Sequence, residues 1–152
     1  MSDQPASLID PSDTPRYAVG LGLGWVAAAA FTVVYALSAE LIGLTFGLPI
    51  VALLGGWIIG TAVAYGGWGE LEHLAHRGLR LGAVSLAVEG WLLGLIVAYI
   101  LSQVFIPQAS TALSDRLTLS GFFDYFLGLD FALYLHLLAL PLAALMAWRA
   151  AR

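Results

Sequence analysis

Two ionisable side chains sit inside long apolar runs, Glu89 in AVSLAVEGWLLG and His136 in DFALYLHLLALP. A carboxylate in hydrocarbon costs a few kcal/mol on insertion scales, and protonation lowers that cost by removing the charge. Such a group needs a partner, and imidazole is the natural one because it can donate, accept or carry a proton. Glu89 and His136 together would make a proton- or ion-responsive pair, a structural hydrogen bond between helices, or a contact with another subunit. Ser85 lies one turn before Glu89 on the same face, and Tyr134 and Asp130 share a different helical face near His136. The spacing of Ala132 and His136 also fits ligation of a tetrapyrrole, with the small residue admitting the ring plane. No second histidine is expected inside a span.

The other concentration of chemistry is GGWGELEHLAHRGLRLG, which reads as a polar connector, with Glu70 to Leu81 forming a short interfacial helix. Glu72 and His76 are four apart, and His73 and His76 three apart, so each pair can share a helical face and offer weak metal ligands. The order is not HExxH, and Arg77 and Arg80 oppose a cation. No metal is therefore expected. The chain has no cysteine, which removes disulfides, thiolate ligands and a cysteine nucleophile. No nucleophile–base pair, phosphate-cradling loop or paired carboxylates share a face, so an enzyme is disfavoured.

The elements that position these residues follow from composition. Of 152 residues, 61% are hydrophobic and 11% charged, with mean hydropathy +0.90; soluble domains carry about a quarter charged residues. Lipid is the solvent this composition suits. A spanning helix needs roughly 20 apolar residues, and four segments qualify, at about 17–38, 45–66, 82–105 and 121–148. The expected fold is an all-α integral membrane protein, a four-transmembrane-helix bundle over residues 16–152. Residues 1–15 read as a flexible tail rather than a signal peptide, with Thr14 and Pro15 placed to start the first helix. Glu40 falls at the first boundary or just inside it. In the third span, Glu89 lies roughly 10 Å beyond Gly82, and His136 roughly 18 Å from Trp148 at about 1.5 Å per residue.

Arginine placement orients the bundle. Arg16, Arg77, Arg80, Arg149 and Arg152 share one side and Arg116 stands on the other, so both termini are expected in the cytoplasm. Glycine pairs four residues apart, Gly20 and Gly24, Gly56 and Gly60, Gly90 and Gly94, mark close helix contacts. No basic tract suits nucleic acid; the expected partners are the lipid bilayer and other membrane subunits or further copies of the chain. The reading that accounts for most of these features is a non-catalytic subunit or accessory protein of a larger complex, in the plasma membrane of a prokaryote. Two alternatives remain at this stage: a small homo-oligomeric transporter or channel using Glu89 and His136, and a tetrapyrrole-binding subunit using His136.

Overall fold

A computed structural model describes residues 16–68, 77–105 and 117–151. All of its regular structure is helical: α1 Tyr17–Glu40, α2 Leu48–Trp68, α3 Arg77–Phe105, α4 Leu119–Leu127 and α5 Phe131–Ala150. Among these, α1, α3, α5 and the stretch Thr45–Trp68 are long and apolar enough to cross a membrane. Each of the four is apolar around most of its circumference, so sequence periodicity alone points no face inward. Small residues supply many of the buried positions, beside larger ones such as Phe31, Tyr35, Ile59 and Trp91. The buried positions of α2 include Ala52, Gly55, Gly56, Gly60 and Ala64, and those of α5 are His136 with Ala139, Ala143 and Ala147.

The chain leaves α1 through Gly43, whose φ of 62° is open to glycine without strain, and Leu44 N–H closes the turn onto the Ser38 carbonyl at 2.9 Å. A single 3-10 turn, Thr45–Gly47, then feeds α2. Pro49 stands in the first turn of α2, where its missing N–H leaves no gap. The helices pack as a ring in the order α1, α2, α5, α3. Helices α1 and α3 run parallel, with Leu21 level with Gly82 and Tyr35 level with Gly94. Helices α2 and α5 run the other way, with Gly56 against Ala143 and Gly60 against Ala147. Arg16, Arg77, Arg80 and Arg149 thereby collect at one end, where the Arg80 guanidinium lies 5.2 Å from the Trp148 ring centre.

The fourth span differs from the sequence expectation of one helix over 121–148. Thr118 caps α4 by accepting from Gly121 N–H at 3.0 Å, and α4 stops at Gly128. Asp130 follows with φ 46° and ψ −118°, a positive-φ conformation that L residues rarely adopt, and α5 starts afresh at Phe131. Asp130 is therefore the hinge before the span and not a residue within it. Pro141 stays inside a continuous α5. The third span begins earlier than expected, at Arg77, so residues 77–81 belong to α3 and not to a separate interfacial helix.

Candidate functional site

The polar groups of the span form two sites of opposite character. In the bundle interior, Tyr35 from α1 reaches across the ring and shares a hydrogen bond of 2.8 Å between its hydroxyl and His136 Nδ1 on α5. The two rings meet edge to face at 5.6 Å, and Phe31 meets Tyr35 in the same way at 5.6 Å. Trp91 of α3 donates its indole N–H to the His136 carbonyl at 3.0 Å. The Thr32 hydroxyl divides its one proton between the carbonyls of Ala28 at 3.0 Å and Gly90 at 3.1 Å. Three helices are thus tied around His136, which is 2% exposed, and the polar atoms of Tyr35, Trp91 and Thr32 find partners within the bundle.

Glycine sets the distances. A Cβ on Gly56 would stand 2.2 Å from the Ala143 carbonyl oxygen, and one on Gly60 2.5 Å from that of Ala147. Gly20 lies against the backbone of Val63 and Gly67, Gly24 against the Val63 side chain, and Gly90 and Gly94 against the Phe31 and Tyr35 rings. All six are buried. Without that approach the Tyr35 hydroxyl would not reach α5.

Glu89 lies outside this network. It is exposed on the outer face of α3, in a groove of about 250 Å³ between α1 and α3. Trp25, Ala28, Ala29 and Thr32 form the α1 wall, and Gly90 and Leu93 continue the α3 wall. No hydrogen bond or ion pair joins Glu89 to another described residue. The expected Glu89–His136 pair is not formed: residues two apart on a helix point about 200° apart, and Trp91 takes the inward direction while Glu89 takes the outward one. Ser85 is exposed on the same side as Glu89, and Tyr134 is exposed on the first turn of α5. Neither joins His136.

A third polar cluster closes the end of the bundle away from the arginines. Tyr125 of α4 donates its hydroxyl to the Glu40 carboxylate at the end of α1, and Tyr99 packs its ring on Tyr125 and Phe122 at 5.6 and 5.7 Å. Burial first, and then the Glu40 carboxylate, push the Tyr125 phenol well above the ordinary tyrosine range.

No family model, curated protein or solved structure matches the chain.

The histidine ring packs against Tyr35, and three grooves on the bundle surface, between α1 and α2, between α1 and α3, and beside Tyr99 and Phe122, are lined by other residues. Among the described residues no three His, Asp or Glu side chains come together; Glu72, His73 and His76 lie outside the described residues. Sequence reasoning overlooked Tyr35, Trp91 and Thr32, and also the pairing of Glu40 with Tyr125. The available signal was chemical: a phenol or indole inside an apolar run has a polar atom that must find a partner.

Proposed function

We propose that this chain is a non-catalytic integral membrane subunit, seated in the plasma membrane of a prokaryote with its arginine-bearing end in the cytoplasm, which assembles with other membrane proteins through its α1/α3 face. The supporting observation is Glu89. Counted along α3, it lies roughly 18 Å from Arg77 and roughly 24 Å from Phe105, which places it near the middle of the helix. An acidic residue there costs up to about 3 kcal/mol on insertion scales, and nothing within the described chain offsets it. An outward polar group at that depth is best accounted for by a partner that the single chain lacks. The four apolar helices and the scarcity of polar groups agree with a subunit whose role is assembly.

A transport reading based on a Glu89–His136 relay lacks its geometry, because the two side chains leave α3 and α5 in different directions and His136 is committed to Tyr35.

Native extraction into polymer nanodiscs tests the assembly reading. The wild-type particle is expected to contain more protein than one 16.1 kDa chain, in a fixed ratio. Glu89→Leu is expected to give single chains with unchanged helicity. A wild-type particle holding one copy and no other protein would overturn the reading.

A further inference from the structure

The groove around Glu89 carries a second chemical preference besides its carboxylate. Trp25 lines the same groove and is 62% exposed, about one turn nearer the arginine end along the parallel α1 helix. A carboxylate attracts a cation, and so does the face of an indole, for which cation–π attraction amounts to about 0.5–2 kcal/mol as water is excluded. The two groups together favour a positive charge over a second carboxyl group. The floor between them is Ala28, Ala29 and Gly90, small enough for a neighbouring helix to lie close and send one side chain in.

Among the described residues a second copy offers no cation at this depth: Arg16, Arg77, Arg80 and Arg149 are all gathered at one end of the bundle, with Arg80 already over Trp148. The described part of a second copy would bring another Glu89 to this level and no positive charge to meet it. The adjacent α1/α2 groove, of about 240 Å³, is lined by Ala27, Ala30, Phe31, Val34, Leu54 and Ile58 among others, without an ionisable group, and carries no such preference.

From this geometry we infer that the α1/α3 groove seats one transmembrane helix of a different protein, bearing a single lysine or arginine opposite Glu89, with Trp25 against the cation. The inference rests on the assembly reading above and names the chemistry of the partner. Ion pairs buried in soluble proteins often break even, because removing both charges from water offsets their attraction. In a bilayer that cost is met when each helix inserts, so bringing the two charges together at low dielectric is favourable.

The test uses the full chain in liposomes. It has no cysteine, so Ser2→Cys gives a single site for a donor fluorophore. The probe is a synthetic membrane-spanning Leu/Ala peptide with one central lysine and an acceptor dye; the control peptide has leucine in that position. Energy transfer is expected to show the lysine peptide binding at least about tenfold more tightly, equivalent to about 1.4 kcal/mol. Glu89→Gln, which keeps the side-chain size, should reduce binding to the control level without changing helicity or thermal unfolding. Trp25→Leu should weaken binding by about threefold, within the cation–π range. Equal binding of the two peptides would overturn the inference, as would a central-glutamate peptide that binds as well as the lysine one. Energy transfer between two labelled pools of the chain itself, abolished by Glu89→Gln, would overturn it in favour of a second copy while leaving the assembly reading standing. Single chains in native nanodiscs, with no peptide binding, would remove both.

Discussion

His136 and Glu89 are both ionisable groups within apolar helices, yet the fold treats them oppositely. His136 is enclosed, bonded to Tyr35 and bracketed by Trp91 from a third helix. Glu89 faces outward, with an exposed tryptophan and small residues around it and no described partner. In water, the inner and outer positions of a helix differ in polarity. In a bilayer they would not, since hydrocarbon would surround a spanning bundle on every side. What separates the two sites is whether the chain satisfies its own polar atom. An interior satisfied in this way fixes the packing of three helices. A polar group left facing out leaves chemistry for another molecule to complete.

The interior half of this comparison can be broken at the α2/α5 crossing, where the largest effect is expected. A side chain at Gly56 would meet the Ala143 backbone, which has no soft end to move aside. Overpacking typically costs about 1–3 kcal/mol, and a backbone clash belongs at the top of that range. Gly56→Leu should therefore lower stability by about 3 kcal/mol and separate Tyr35 from His136, seen as lost near-ultraviolet dichroism and an earlier thermal transition in detergent. Gly22→Leu is the matched control, since a Cβ there meets nothing within 4 Å, and it should be neutral within about 0.5 kcal/mol. If the two substitutions cost the same, glycine spacing does not set the approach of the helices.

The comparison sharpens when the two ionisable residues are removed in turn. His136→Ala deletes the hydrogen-bond partner of Tyr35 and opens a cavity among buried alanines, for an expected loss of about 2 kcal/mol. Tyr35→Phe removes only the hydroxyl and should cost about 1 kcal/mol, in line with hydrogen bonds between membrane helices. Glu89→Leu should leave the stability of the single chain unchanged within about 0.5 kcal/mol. Equilibrium unfolding of the three variants in one detergent measures all of this. A Glu89→Leu loss as large as that of His136→Ala would show that the carboxyl group has an internal role.

The existence of four apolar helices was legible in the sequence because their length and composition leave few other structures for them. Position along a helix follows from residue count, but its origin does not: α3 starts at Arg77 rather than near Gly82, which moves Glu89 toward the middle of its helix. Direction around the helix was not legible. Glu89 and Trp91 are two residues apart in a run that is apolar on all sides, and no periodic contrast marks which of them turns inward. The break before α5 was missed for a similar reason: in FFDYFLGLDF the apolar residues flanking Gly128 continue through the turn, and only Gly128 and Asp130 hint that the helix ends. Tyr125 is one of several aromatics in that stretch with nothing local to single it out. That it folds back onto Glu40, far away in sequence, depends on the hinge at residues 128–130, and no local pattern encodes where a hinge sends its helix.

That folded-back helix offers the mildest test, because its polar pair stands between the two extremes: satisfied like His136, but at the end of the bundle. Tyr125 donates to Glu40 and packs on Tyr99, so α4 is held by that hydrogen bond, by the Tyr99 hydroxyl on the Thr118 carbonyl at 3.4 Å at its N-cap, and by ring contacts. Tyr125→Phe keeps the ring contacts and removes the bond to Glu40, and an exchange of this kind is worth about 1 kcal/mol or less near the membrane surface. The bundle should melt almost unchanged, while amide exchange in 119–127 accelerates. The pH dependence has a definite sign. Burial and the adjacent carboxylate raise the folded phenol above its ordinary range, so the unfolded segment loses its proton first as pH rises. The stabilisation is complete below pH about 10, the ordinary tyrosine value, and is lost progressively above it. Exchange in α4 should therefore quicken above pH about 10 in the wild type, and Tyr125→Phe should remove the part of that pH dependence due to this phenol. If α4 exchanges identically in both proteins across that range, the Glu40 bond does not hold the helix in place.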